Sequence, residues 1–241
     1  MRPRTDGPVV RRSDLGEVTT LRLVILDCDG TLVDSQQVIV ATMHAAFGEL
    51  DLPPPPAEAV RRTIGLSLEE VIARLAPAGQ EHRLDAVFQA YRRRFFEWRT
   101  TASAPEPLFP HAGETIEQLM LEGFLLGVAT GKSRRGLDAV LASHDLQDSF
   151  VTLQTADRHP GKPHPAMLHQ AMAETGARSE DTIMVGDTSY DMEMAVNAGV
   201  MPVGVAWGYH DADELRDAGA MAVLDDFRQL LPLLTDRWAG R

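Results

Sequence analysis

The chain carries one cysteine, Cys28, among 241 residues. An internal disulfide is therefore excluded, and a reducing, cytoplasmic compartment is expected. Positive charge is also scarce. Against 35 acidic residues stand 23 lysines and arginines, a formal net charge of −12. Neither nucleic acid nor an anionic membrane is expected as the main partner, since both require a basic surface. An anionic small substrate stays compatible, because a metal ion can reverse the field inside one pocket. No apolar run reaches the length of a membrane span. Residues 1–20 hold arginines but no hydrophobic stretch of about 7–15 residues, so they do not read as a signal peptide. A loose lead-in is expected there. The eight histidines are scattered without metal-ligand spacing. Heptads, internal repeats and low-complexity segments are missing too, which leaves the oligomeric state unread.

What the chain does have is a rhythm of short apolar runs and amphipathic stretches. The runs are "LRLVILD" (21–27), "FLLGVAT" (124–130), "DTIMVGD" (181–187), "VMPVGVAW" (200–207) and "AMAVLDD" (220–226). They lack the polar alternation of a half-wet sheet, so they read as buried parallel strands. Between them, 113–123, 134–146, 165–176 and 190–199 show helical spacing. The expected fold is α/β, a Rossmann-like doubly wound parallel sheet whose ligands bind beyond the carboxyl ends of the strands.

The rhythm breaks after the first strand. "QQVIVATMHAAFGEL" is followed by prolines 53–56 and two helical stretches, "SLEEVIARLA" and "RLDAVFQAYRRRFFEWR", with no strand pattern. An all-helical insert over 35–105 is expected, with "TTASAPEPLFP" (100–110) as a stiff linker back into a core formed by 21–34 and 106–241.

The polar residues fall at the strand ends. "LVILDCDGTLVDSQ" (23–36) places Asp27, Asp29 and Asp34 within eight positions. Residues at i and i+2 share one side of an extended chain, so Asp27 and Asp29 can converge while Cys28 turns into the core. Thr130-Gly131 ends the second run, Lys162 opens the "GKPHP" turn, and Gly186-Asp187 ends the third run, with Asp191 beyond. Each has an ordinary alternative. A single Asp at a strand end is usually a cap or turn residue, Thr130 can cap a helix near Ser133, and Lys162 can be a solvated loop lysine. Asp34 is expected to cap the first helix of the insert. His111 and His164 fall near the expected ligand edge, and no chemical role is assigned to either. Joint placement carries the functional reading.

Carboxylate oxygens with a backbone carbonyl and water suit a hard octahedral ion, which points to Mg²⁺. A threonine hydroxyl, backbone N–H groups and an amine suit phosphate. An aspartate can then attack phosphorus, and a second carboxylate can protonate the leaving oxygen and activate water.

These residues resemble the haloacid dehalogenase superfamily. Four motifs stand in that family's order: "DCDGTLVDS" (27–35), "VATGKS" (128–133), Lys162 in "GKPHP" and "GDTSYDM" (186–192). The resemblance implies a nucleophile at Asp27, a general acid/base at Asp29, and phosphate contacts from Thr130, Gly131 and Lys162. It further implies Mg²⁺ on Asp27, the Asp29 carbonyl and Asp187, with Asp191 positioning Lys162 or a metal-bound water. The insert looks like a C1-type helical cap, with "IGLSLEE" (64–70) similar to the cap loop that reaches into the site. "VGVAWGYHDADELRDAGA" (203–220) resembles the phosphoglycolate phosphatase branch. Dehalogenases and phosphonatases replace the second acid, which this chain keeps as Asp29. β-Phosphoglucomutases carry a histidine where this chain has Ile39 and an arginine where it has Leu68. The expected activity is thus a Mg²⁺-dependent phosphatase acting on a small phosphorylated metabolite such as phosphoglycolate. Alternatives are a phosphatase for inorganic pyrophosphate or sugar phosphates, a phosphomutase, and a phosphorylated receiver-like switch.

Overall fold

The computed structural model describes residues 21–101 and 105–239. The lead-in expected at 1–20 and residues 102–104 of the linker lie outside them. Strand β1 (Leu23–Leu26) is followed by four helices: α1 (Gln36–Gly48), α2 (Ala57–Arg61), α3 (Leu68–Leu75) and α4 (Leu84–Thr101). The chain continues as α5 (Ala112–Leu121), β2 (Leu125–Thr130), α6 (Arg134–Ser143), β3 (Thr152–Thr155), α7 (Ala166–Thr175) and β4 (Thr182–Gly186). It ends as α8 (Ser189–Ala198), β5 (Met201–Val205), α9 (Ala212–Asp217), β6 (Ala222–Leu224) and α10 (Leu230–Trp238).

The six strands form one parallel sheet in the order β3-β2-β1-β4-β5-β6, a Rossmann-like α/β arrangement. All four residues of β1 are fully buried, each contributing about 1.5–3 kcal/mol by leaving water, so this strand takes a central place. Its side chains alternate between two layers. Val24 and Leu26 join Leu126, Val128, Ile183 and Val185 beneath α5, α6 and α10. Leu23 and Ile25 join Ala129 and Met184 beneath α7 and α8. From β1 the chain winds outward through β2 and β3, then returns to β4 on the other side. The order reverses between β1 and β4, and their carboxyl ends flank the crevice where such sheets bind ligands.

Strand β3 is absent from the sequence reading, and the reason is chemical. Its sequence, TLQT, turns Thr152 and Gln154 toward α7, where both hydroxyl and amide donate to Glu174 Oε2 at 2.6 and 2.8 Å. Only Leu153 faces the apolar layer. A polar face satisfied by a helix side chain erases the hydrophobic run. The short helices α2 and α9, and the closing helix α10, are likewise additions to the sequence reading.

Helices α1–α4 enclose a third cluster of Met43, Phe47, Val60, Leu66, Ile72 and Val87 that contains no strand residue. The two crossings between this cluster and the sheet run side by side. Asp34 N donates to Pro107 O and Phe109 N to Leu32 O, both at 2.9 Å, with Val33 bridged to Leu108. Asp34 does not cap α1. Ser35 holds the N-cap position without a side-chain bond, and its N–H donates instead to the Tyr209 hydroxyl at 3.1 Å. The Asp34 carboxylate accepts from Gln36 Nε2 at 3.2 Å.

Candidate active site

Asp27 follows β1 directly, and its N–H donates to Val185 O at 2.9 Å, extending the β1–β4 pairing by one residue. The chain then turns sharply. Gly30 has φ +86°, and a Cβ there would strike the Asp187 carboxylate. A left-handed, side-chain-free residue is required for this approach. Cys28 turns into the apolar layer, where burial and then Asp29 push its thiol well above the ordinary range.

Lys162 arrives from the turn before α7 and is buried, with its Nζ 2.8 Å from Asp27 Oδ2 and 2.6 Å from Asp191 Oδ1. Asp191 is held from its other oxygen: Oδ2 accepts from Thr188 N at 3.1 Å and Thr188 Oγ1 at 2.6 Å, the capping box of α8. This anchoring aims one carboxylate oxygen at the lysine. Burial works against the charged amine, yet Asp191 and Asp27 outweigh it and hold its pKa above the ordinary range.

Asp187, after β4, is also fully buried. It accepts from Thr31 Oγ1 at 2.8 Å and from Tyr209 N at 3.0 Å. Asp27, Asp187 and Asp191 offer oxygens within 4.8 Å of one another, and one lysine among them leaves negative charge in excess. The strain shows in the acids. Burial, opposed by Lys162 and reinforced by Asp191, pushes Asp27 up to about 7. Burial followed by Asp27 and Asp191 pushes Asp187 well above the carboxylate range. Such a pocket suits a divalent cation with oxygen ligands. The Asp29 carbonyl accepts no hydrogen bond among the described residues, while the neighbouring Cys28 carbonyl takes two, from Leu32 N and Val33 N.

Asp29 shares the strand end, but the two motif acids do not share a partner. Its Oδ1 stands 2.9 Å from Lys132 Nζ, and Lys132 also donates to Glu106 Oε1 at 3.2 Å. Lys132 and Glu106 escape the sequence reading. Lys132 lies inside the quoted "VATGKS", one residue past Gly131, whereas Glu106 between two prolines reads as a solvated linker charge. Thr31 and Tyr209, which fix Asp187, are missed as well.

Thr130 is buried at the end of β2, its hydroxyl accepting from Lys132 N at 3.2 Å. Gly131 packs beneath the carbonyls of Gly65 and Leu66, where any Cβ would collide with backbone. The loop 64–67 thus lies directly over the strand ends, with Gly65 against Thr188 and Ser67 against Gly161. Arg62, just before it, pairs with Glu214 at 2.5 Å. His111 faces Glu114, and His164 caps Ala166 N. Neither histidine has a partner among the clustered acids.

The match to a family model of haloacid dehalogenase-like hydrolases spans residues 24–205. "Probable phosphatase IndB" of Dickeya dadantii is 38% identical over 212 residues, covering 87% of this chain and 91% of that protein. Phosphoglycolate phosphatase of Pasteurella multocida is 32% identical over 224 residues, covering 90% and 100%. Among solved structures, a hydrolase from Pseudomonas syringae superposes with a TM-score of 0.78 at 25% identity, covering 90% of this chain and 98% of that one. With its acids, its lysine and its strand order in place, the chain belongs to the haloacid dehalogenase-like hydrolases, as a phosphatase of the phosphoglycolate phosphatase-like kind.

Proposed function

We propose that this phosphatase hydrolyses a small phosphomonoester through an aspartyl phosphate on Asp27, with Mg²⁺ bound beside it. The observation that carries the reading is the buried pair of Asp27 and Lys162, 2.8 Å apart, with a second acid two residues on that has its own lysine. An Asp27 carboxylate oxygen attacks phosphorus, forming the acyl phosphate as the ester P–O bond breaks. Asp29 gives its proton to the departing oxygen. It then takes a proton from the water that cleaves the acyl phosphate and restores Asp27. Lys162 balances phosphoryl charge, while the Thr130 hydroxyl and the Gly131 N–H supply donors on the adjacent strand end. Asp27, the Asp29 carbonyl and Asp187 would hold Mg²⁺, which would supply positive charge beside the phosphoryl oxygens. Asp191 stands as the residue that orients Lys162, since both of its oxygens are engaged.

Helices α1–α4 act in this reading as a cap over 35–105 that closes the leaving-group side, supported by their separate apolar cluster and by the loop seated on Gly131. Phosphoglycolate is the leading substrate, supported by the Pasteurella relative's name; a relative in Oceanobacillus iheyensis is named pyrophosphatase. Hydrolysis is favoured over mutase chemistry because Ile39 is taken up in the apolar cluster and Leu68 opens α3. Neither can grip a second phosphate. A cytoplasmic location is part of the reading, supported by the chain's single cysteine, Cys28, which is buried and unpaired. No helix among the described residues is long and apolar enough to cross a membrane.

The test is phosphate release from a panel of small phosphates, with and without Mg²⁺. Phosphoglycolate should rank high, and chelation by EDTA should remove activity until Mg²⁺ is restored. Undiminished turnover in EDTA would sink the metal assignment. Asp29→Asn should lower kcat by about 10²–10⁴-fold through lost proton transfer, with KM moving far less. A kcat within twofold of wild type on an alkyl phosphate would contradict the acid/base role.

A further inference from the structure

We propose that Lys132 is a positioning residue for Asp29, holding this acid at the leaving-group side and away from the nucleophile's lysine. The inference rests on the phosphatase reading above and adds a residue to it. The Lys132 ammonium sits in a three-sided seat: 2.9 Å from Asp29 Oδ1, 3.2 Å from Glu106 Oε1 and 5.3 Å from the centre of the Phe95 ring. Its side chain is 8% exposed. The three partners come from different parts of the chain: the end of β1, the linker into α5, and helix α4. One amine therefore ties the acid both to the linker and to the helices above it.

The seat is built from several directions. Glu106 is buried between Pro105 and Pro107, whose fixed φ angles limit how its backbone can move. The Glu106 carbonyl is hydrogen-bonded to His144 Nε2 at 2.7 Å. The Lys132 N–H is taken by Thr130 Oγ1. Its stem lies along Gly136 in the first turn of α6, where a Cβ would come within 2.7 Å of Lys132 Cγ. That glycine has ordinary helical geometry, so its bare α-carbon serves the lysine's path and not a strained turn.

The charge balance argues for positioning over substrate capture. Even when Asp29 carries the proton it donates, Glu106 still balances the ammonium, so an anionic leaving group would meet no free positive charge there. A carboxylate that must exchange a proton with a leaving oxygen needs its geometry held within about 0.5 Å. Without Lys132, the nearest lysine in the site is Lys162, which already binds Asp27 and Asp191. Separate lysines keep the two motif acids in separate tasks.

The test compares kcat/KM on an alkyl phosphate, phosphoglycolate, with that on p-nitrophenyl phosphate, whose leaving group needs little proton assistance. Lys132→Met should lose about 10–100-fold on the alkyl ester and roughly a tenth of that loss on the aryl ester. In an Asp29→Asn background the same substitution should add little, because the residue acts through that acid. Lys132→Arg keeps the charge and should recover most of the alkyl-ester activity. Gly136→Ala improves helix propensity while displacing the lysine stem, and should reproduce the ester-selective loss in a folded protein even where the methionine variant does not fold. Equal losses on both esters, or a full additive loss in the Asp29→Asn background, would overturn the assignment while leaving the phosphatase reading intact. A wild-type enzyme releasing no phosphate from either ester in Mg²⁺ would instead remove that reading and this one with it.

Discussion

Asp27→Asn is expected to abolish turnover, with kcat reduced on the order of 10⁵-fold or more, as when other covalent enzymes lose the nucleophile of a unit. The amide is nearly the same size as the carboxylate but has no anionic oxygen to attack phosphorus. Lys162 would keep Asp191 as a partner at 2.6 Å, so the pocket would not collapse around a lone cation. Folding should tolerate the change well. Burial and Asp191 already push the Asp27 pKa up to about 7, so its charge is held at a cost in the metal-free protein. Removing that charge relieves repulsion with Asp187 and Asp191. The variant's Tm without metal should therefore match or exceed that of the wild type. Acid-quenched samples should hold no acyl phosphate where the wild type holds some. Wild-type activity on p-nitrophenyl phosphate would overturn the nucleophile assignment.

Lys162→Met should remove activity nearly as completely, and unlike the first substitution it should also destabilise. The thioether stem fills much of the same volume but leaves Asp27 and Asp191 facing each other without a counter-charge. Breaking a buried pair by deleting one partner costs about 3–5 kcal/mol, which for a chain of this size lowers Tm on the order of 10 °C. The deficit should depend on pH in a definite direction. Asp27 has a folded-state pKa above its ordinary value of 3.8, so between that value and about 7 the folded protein binds the extra proton. Stability from this group is thus lost as pH rises through the window. Lys162 is the main influence pulling the Asp27 pKa down; without it the pKa climbs further and the loss extends to higher pH. Metal-free Lys162→Met should accordingly lie closer to wild type in Tm at pH 5 than at pH 8. A deficit independent of pH would mean that the lysine does not neutralise these carboxylates.

Both results draw on side chains whose roles differ in how far the linear chain exposes them. Strands β1, β2, β4 and β5 are legible because strands covered on both faces must be apolar along their whole length. Strand β3 is not, because Glu174 of α7 satisfies its polar face from outside the strand. Asp27 and Asp187 are legible for a related reason. Parallel strands all present their carboxyl ends to one edge, so acids at those ends must gather once the strands are identified. Lys162, by contrast, lies beyond the unread β3 and is expected there only from the "GKPHP" turn and motif order. Asp34 shows where that logic stops. Its place before a helix suggests a cap, but the N-cap position falls on Ser35, and the Asp34 carboxylate accepts from the Gln36 side chain and from the hydroxyl of Tyr209, 175 residues away.

The same limit governs the second acid. Spacing alone puts Asp27 and Asp29 on one side of the chain, yet it does not say that each has a lysine of its own. Composition, strand periodicity and motif order thus determined the α/β class, the inserted helices and the edge where the acids meet. Those properties follow from local geometry and from burial, which leave a periodic trace in the chain. Only the tertiary structure decided that Lys162 joins Asp27 to Asp191, that Lys132 joins Asp29 to Glu106, and that Gly131 lies beneath the 64–67 loop. Such pairings depend on which distant segments pack together. An ion pair between residues far apart in sequence leaves no period for the linear chain to display.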